Sequence, residues 1–504
     1  MNVIWWKKLL AAAVAGLTIL VAVVLLRAAF VAQPQAPTPA PPPAFHVDAM
    51  QAAERLAGAI RIPTVSAQEA GRTNQQTFIE LHAYIERTFP RVHAALRREV
   101  IGEYSLLYTW QGQRNDLKPI AFLAHLDVVP AEGENSLWTQ PPFEGRIVDG
   151  FVWGRGTLDM KHGVMASLEA VEALLREDFR PLRTIFLAFG HDEEIGGRNG
   201  ARRIAKSLSE RGVRLEFTLD EGQAIVEGII PGVAKPVALV GLAEKGYLTL
   251  ELVAKDEGGH SSMPRPRMAA ERLASAIDRL GQSPMPAALQ PPASWMFDRL
   301  APEMSFPYRM LFANRWLFEP LLLSQLARAP GPNALIRTTT ALTMLSAGAR
   351  ENVIPTTARA LVNFRMLPGQ TVQQVSTHVR AKIGDPKIDV RVVGDSWEAS
   401  RVSHTESFGY ALIEHTIRQV YPEVAAAPTL TIVATDSRHY IGIADDSYHF
   451  IPMRLQSTDL KRIHGIDERI AVSDYVRMVH FYAAVIRNSG SHLGRSPAAK
   501  SETR

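Results

Sequence analysis

Pro119-Ile-Ala-Phe-Leu-Ala-His-Leu-Asp127 and Thr184-Ile-Phe-Leu-Ala-Phe-Gly-His-Asp-Glu-Glu194 decide how this chain folds. Each is a short, continuous apolar run that ends abruptly in imidazole or carboxylate side chains. A run of that length reads as a strand buried on both faces. Between the two runs, Met165 to Leu175 repeats apolar residues at helical spacing. A third apolar run, Leu215 to Leu219, ends at Asp220. Strands alternating with helices predict an α/β layer fold with a parallel or mixed sheet flanked by helices. In such sheets ligands bind at the carboxyl ends of strands, which is where these polar residues fall.

The strand–helix alternation extends from His46 to about Gly241 and then changes character. Tyr247 to Ala254 alternates as a half-buried strand, and Gly258 to Ser262 makes a turn. Arg267 to Leu280 reads as a helix. A Pro-dotted stretch runs from about Gln282 to Arg337. Thr338 to Leu345, Arg359 to Arg365 and Lys387 to Val393 read as strands, with a helix at Val372 to Ile383. This order predicts a smaller α+β domain of ferredoxin-like type, spanning 245–395, inserted between catalytic segments 45–244 and 396–489. Helices are expected in the second segment at Ser407 to Val420 and Val472 to Ile486. The polar tail, 490–504, reads as disordered.

Trp5-Trp6-Lys7-Lys8 precedes an apolar run from Leu9 to Leu26. Eighteen helical residues span about 27 Å, close to the thickness of a bilayer core. The preceding lysines favour an amino end on the cytoplasmic side. Residues 1–32 therefore read as a membrane anchor or, with Ala32 at the cut, a cleaved signal peptide. Residues 33–44 read as an extended Pro-rich linker. In both cases the remainder is expected outside the cytoplasm. The chain has 504 residues, 46% hydrophobic and 21% charged, with net charge +4. That balance suits a globular protein and offers no basic patch for nucleic acid. With no cysteine, disulfides, thiolate metal sites and a cysteine nucleophile are all excluded, leaving His, Asp and Glu as metal ligands.

Several polar groups carry the chemistry. His125 and Asp127 lie two apart at a strand end, so they share a face if the strand continues. One could hold a metal while the other orients it. Asp159 follows the glycine-bearing loop Gly154-Arg-Gly-Thr-Leu158 and precedes a helix, where an ordinary N-cap is the plain alternative. Glu193 and Glu194 follow a strand and precede Gly196-Gly197, which permits a sharp turn. There one carboxylate can face a metal and the other a water. Asp220 and His464 read singly as a turn and a surface residue. Taken in order, the set suits two metal ions held by carboxylates and imidazoles with one carboxylate left as a base.

His125-Leu-Asp127, Gly154 to Lys161, Asp192-Glu-Glu194, Asp220-Glu-Gly222, Gly258 to Ser262 and His464-Gly465 together resemble the co-catalytic zinc family of aminoacylases, carboxypeptidase S and acetylornithine/succinyl-diaminopimelate deacylases. The likeness covers nearly everything after the linker. Trp316 to Pro320, Ile336 to Thr340, Asn352 to Pro355 and Thr435 to Arg438 are similar to the carboxypeptidase S and N-fatty-acyl-amino-acid synthase/hydrolase branch. The resemblance implies two zinc ions bridged by Asp159, one completed by His125 and Asp220, the other by Glu194 and His464. It implies that Asp127 orients His125 and that Glu193 is the base. It implies that His260 steadies the oxyanion, across a dimer or after domain closure. Arg438 would pair with a substrate carboxylate, and Asn352 and Arg365 are further substrate contacts. His162 stands where many relatives carry a small residue, and His439-Tyr440 follows Arg438.

The resulting expectation is a dizinc hydrolase of N-acyl amino acids or carboxyl-terminal dipeptides, tethered to a membrane and forming a homodimer. Two alternatives stand beside it. One is a deacetylase of small biosynthetic intermediates. The other is a membrane-tethered binding protein without catalysis.

Overall fold

The computed structural model describes residues 3–31, 39–43, 45–67, 74–131 and 137–491. Ala32, much of the linker and the tail beyond 491 lie outside the described residues. The two opening sequence runs form strands Ile120–His125 and Ile185–Gly190, paired in parallel with His125 level with Gly190. Strand Leu215–Asp220 flanks Ile120–His125 in the same sense. On its other side lies Ala444–His449, again parallel. Antiparallel strands Arg97–Ile101 and Ser105–Trp110 close one edge. Val237–Glu244, Ile225–Val226, Arg454–Leu455 and Ala425–Thr431 complete a ten-stranded mixed sheet.

Period-two alternation explains why these strands are apolar throughout. Ile120, Phe122, Ile185 and Leu187 enter a core beneath helices Ala49–Ile60, Lys161–Arg176, Phe408–Val420 and Val472–Asn488. Ala121, Leu123 and Phe186 enter the opposite core with Ile204 and Leu208 of helix Ala201–Glu210. Each such side chain contributes about 1.5–3 kcal/mol on burial. Because both faces are covered, only the carboxyl ends of the strands are free to present polar groups.

A second, antiparallel sheet has the order Thr339–Ala347, Thr357–Met366, Gly246–Lys255, Ile388–Val392. Helices Ala269–Gln282 and Val372–Ile383 cover one face. The stretch between Gln282 and Arg337 is not an open Pro-dotted loop. It forms helices Ala293–Leu300, Phe306–Ala313, Arg315–Leu326 and Pro330–Ile336. Met296, Phe297 and Leu300 pack on Val226, Val237 and Ala427 of the large sheet. Within residues 245–395 the structure thus holds an α+β unit and a helical layer that packs on the large sheet.

The amino-terminal helix Val3–Ala29 is long and apolar enough to cross a membrane. The visible linker is not a free spacer, since Ala40 and Pro43 carbonyls accept from Gln419 and Arg487.

His82 illustrates the cost of burying an imidazole. Its Nε2 lies 2.7 Å from the Tyr104 carbonyl, and burial lowers its pKa from 6.5 to about 4. Above pH 6.5 both folded and unfolded chains carry it neutral; between 6.5 and 4 only the unfolded chain gains the proton. Stability contributed at this position is thus lost as pH falls, by up to about 1.4 kcal/mol per pH unit. Urea unfolding of the His82→Gln variant between pH 7 and 4 is expected to show a shallower pH dependence than the parent.

Candidate metal centre and active site

His125 is the last residue of its strand and is fully enclosed. Its Nδ1 lies 2.9 Å from the Asp127 carbonyl and 3.3 Å from Asp127 Oδ1. Its Nε2 lies 2.9 Å from Asp159 Oδ1. The other oxygen of Asp159 is 3.0 Å from His464 Nε2, which also lies 3.2 Å from Glu194 Oε2. One carboxylate thus spans two imidazoles contributed by chain segments more than 300 residues apart. His464 adopts φ +60°, a conformation uncommon for a side chain with a Cβ.

Asp127 does more than face His125. Its oxygens accept from the Glu193 and Glu194 amides, both at 3.2 Å, and from Ser66 Oγ at 2.7 Å. The carboxylate therefore locks the short turn Glu193–Ile195 against the strand end. Gly196 and Gly197 take φ +107° and +66° beyond it. At Gly197 a Cβ would stand 2.2 Å from Asp436 Oδ1, so only glycine fits.

Asp220 ends its strand as expected, and its carboxylate is engaged by hydrogen bonds from the 435–437 segment. Asp220 Oδ2 accepts from Thr435 Oγ1 and the Ser437 amide, both at 2.8 Å. Its neighbour Glu221 turns inward, with Oε1 3.3 Å from His125 Nε2. Two groups, His125/Asp159/Glu194 and His125/Glu193/Glu221, have ligand atoms within 4.8 Å of one another. The donor set fits hard-to-borderline divalent cations. Glu194 Oε1 is buried with no hydrogen-bond partner among the described residues, as a carboxylate awaiting a cation should be.

The electrostatics follow from crowding. Burial alone would depress His125, but Glu221, Asp127 and Asp159 hold its pKa well above the ordinary value. Asp159 and Glu194 raise His464 to about 10. Burial opposes ionisation of Asp159, yet the two imidazoles outweigh it and hold its carboxyl below the usual range. Burial, reinforced by nearby carboxylates, pushes Glu193 well up and Glu221 to about 8. Raised carboxylates of this kind suit a proton acceptor working near neutral pH.

Glu468 carried no recognisable sequence signal, and it shapes the site. Its Oε1 accepts from the amides of Gly156, Leu158 and Asp159 at 2.9, 2.6 and 3.1 Å. Its Oε2 meets Arg155 Nη1 at 2.7 Å, with both side chains buried. This carboxylate fixes the loop that presents Asp159.

The remaining expected residues lie elsewhere. Arg438 donates to the carbonyls of Thr435 and Gly196 at 2.9 and 2.7 Å. It also covers Trp397, which stacks on Tyr247, which lies under Arg365. This four-member stack sits where the α+β unit joins the catalytic body. His260 is exposed on that unit, paired across a two-residue strand with Val353 beside Asn352. None of these four residues lines the pocket at the metal centre. That pocket, about 420 Å³, is lined by Asp159, Glu193, Glu194 and His464 among others. Val226, Val433, Ile451, Met453, Leu455 and Ile463 form its apolar wall.

A sheet edge with clustered carboxylates, paired imidazoles and a protected glutamate defines a metal-dependent hydrolase. The chain belongs to the peptidase family M20/M25/M40, whose model matches residues 121–488. It is 43% identical over 448 residues to a probable carboxypeptidase S-like 2 of Dictyostelium discoideum, covering 88% of this chain and 86% of that one. It is 43% identical to the N-fatty-acyl-amino acid synthase/hydrolase PM20D1 of Xenopus tropicalis, covering 87% and 86%. Among solved structures, the metallo-carboxypeptidase Sso-CP2 of Sulfolobus solfataricus superposes with TM-score 0.63 at 18% identity, covering 88% and 99%. Human carnosine dipeptidase 1 gives 0.62 at 16%, covering 87% and 95%.

Breaking the buried Arg155–Glu468 pair by Glu468→Ala should destabilise the chain by about 3–5 kcal/mol, since it strands a charge and three amides. Denaturant unfolding measures this, and Glu468→Gln should lose less.

Proposed function

We propose that this chain hydrolyses the amide bond of N-acyl amino acids with long acyl chains, using two zinc ions. The observation that carries this reading is the apolar pocket opening directly on Glu193, Glu194 and His464. A pocket lined this way accepts a hydrocarbon chain and leaves the amide at its polar end. The named activity of the PM20D1 relatives supports the same class. A dipeptide substrate, as for carboxypeptidase S, is the second reading and is favoured by the names of the Dictyostelium and yeast relatives.

His125, Asp159, Glu194, Asp220 and His464 would hold the zinc ions. For Asp220 this requires its carboxylate to turn from Thr435 and Ser437, or Glu221 to serve in its place. Zinc held there would supply Lewis acidity toward the scissile carbonyl and would lower the pKa of a bound water to about 7. Glu193 then accepts the proton of the attacking water and delivers it to the leaving nitrogen. Asp127 keeps Glu193 in place through the backbone amides. Arg438 would receive the substrate carboxylate, since among the described residues two of its five N–H donors are engaged by carbonyls. His260, Asn352 and Arg365 would reach the substrate from the α+β unit on closure or from a second subunit. The exposed edge strand Thr339–Ala347, bearing Leu342, Met344 and Leu345, supports a homodimer through that unit. The apolar helix Val3–Ala29 would anchor the protein with its catalytic body outside the cytoplasm.

Three measurements test the reading. Full-length protein in detergent, loaded with zinc, should hydrolyse long-chain N-acyl amino acids faster than dipeptides; the reverse ranking refutes the acyl assignment. Glu193→Gln should lower kcat by about 10²–10⁴-fold while metal analysis still finds two zinc ions per chain. Filling the wall with Met453→Trp should depress kcat/KM for long acyl chains far more than for acetyl substrates in the same assay.

A further inference from the structure

Helix Val3–Ala29 is not an isolated rod. Asn314 is fully buried, and its Nδ2 donates to the Val24 carbonyl at 3.0 Å. Arg27 Nε reaches the Ala313 carbonyl at 3.3 Å. Val24 and Ala28 are the residues of that helix the fold encloses. The join between helices Phe306–Ala313 and Arg315–Leu326 is therefore fastened to the last two turns of the apolar helix.

Position along that helix sets depth. Val24 precedes Leu26, the end of the apolar run, by two residues, or about 3 Å of helix rise. A body fastened at Val24 sits at the boundary between hydrocarbon and headgroups, rather than on a stalk above it. The helices at this junction carry what that boundary favours. Trp316, Leu317 and Leu321 are 57, 38 and 47% exposed. They occur with Pro320 at i, i+1, i+4 and i+5, a single face of helix Arg315–Leu326. Phe306 and Tyr308 on the preceding helix are 46 and 41% exposed. Large aromatic and aliphatic groups gathered on the outside of a globular body usually mark an interaction surface. Trp and Tyr in particular favour membrane interfaces.

We propose that the face bearing Trp316, Leu317 and Leu321, with Phe306 and Tyr308 beside it, is a bilayer-contacting surface that seats the catalytic body in the outer leaflet of a phospholipid membrane. This rests on the anchor reading above, because continuity with helix Val3–Ala29 selects lipid as the occupant. The seat has a consequence for substrate supply. The helical layer behind this face packs on Val226, and Val226 also lines the catalytic pocket. Amphiphilic substrate dissolved in the leaflet therefore lies one helical layer from the apolar wall.

The absence of cysteine makes the test direct, since a single introduced thiol is the sole labelling site. Leu317→Cys, Leu10→Cys and Val100→Cys variants of the full chain are labelled with an environment-sensitive fluorophore. Each is reconstituted into phosphatidylcholine/phosphatidylglycerol vesicles with and without nitroxide-labelled lipid. Position 10 reports the anchor, position 317 the proposed surface and position 100 the distal edge of the sheet. Retained hydrolysis of a water-soluble N-acyl amino acid, or an unchanged thermal unfolding curve, certifies that each variant is folded. The proposal predicts a blue shift and several-fold quenching by nitroxide lipid at 10 and 317, with neither at 100. A lipid signal at 10 with a water signal at 317 overturns the surface and leaves the anchor standing. A lipid signal at 317 with a water signal at 10 keeps the surface and overturns the anchor. Water signals at both overturn both.

Discussion

Asp159, Glu193, Glu194, Asp220, Glu221, Glu244 and Asp436 converge on one end of a sheet, almost wholly withdrawn from water. Burying even one carboxylate without compensation costs several kcal/mol, so this convergence governs the surrounding structure. Some charge is met by imidazoles, as Asp159 is met by His125 and His464. Some is met by dipoles: the Glu193 and Glu194 amides on Asp127, Thr435 and Ser437 on Asp220, Thr435 again on Glu244. The remainder is expressed as raised proton affinity, which takes Glu221 and Glu244 to about 8. Buried carboxylates crowded in this way favour a bound cation and raise the carboxylates' affinity for a proton. Both properties come from the same crowding.

The residues that hold this balance come from widely separated parts of the sequence, which explains what could be read in advance. The parallel strands were legible because both of their faces are buried, so Ile120 to Ala124 and Ile185 to Phe189 are apolar without interruption. His125, Asp159, Glu193 and Glu194 were legible because they interrupt such runs or close glycine-bearing loops. Glu468 was not, because a lone glutamate before an ordinary strand has no pattern; its meaning lies in three amides more than 300 positions away. The inward turn of Glu221 in place of Asp220 is a matter of rotamer at adjacent carboxylates, which spacing does not encode. The helical layer was missed for another reason. Pro307 and Pro330 stand in the first turns of their helices, where proline starts a helix rather than breaking one.

The boundary between the two bodies carries its own device. Arg365, Tyr247, Trp397 and Arg438 alternate as cation, ring, ring, cation, with spacings of 4.7, 4.8 and 4.8 Å. Arg365 and Tyr247 belong to the α+β unit, and Trp397, on the segment that leaves it, makes an isolated antiparallel bridge with Tyr247. Arg438 belongs to the catalytic body and grips the Gly196 carbonyl next to the catalytic turn. Each cation–ring contact contributes about 0.5–2 kcal/mol. The junction is thus neither a free hinge nor a fused wall, and its far end touches the backbone beside Glu193.

His464 and Glu468 come within the last forty or so residues described, after both inserted bodies. During synthesis the amino-terminal helix, the parallel strands and the Glu193-Glu194 turn all emerge long before them. Until the final segment returns, the Asp159 loop lacks the carboxylate that shapes it and Asp159 itself lacks its second imidazole. Until then the nascent chain carries Asp159, Glu193 and Glu194 without the two residues that complete their arrangement, so the geometry of this cluster exists only once the segment bearing His464 and Glu468 has been made.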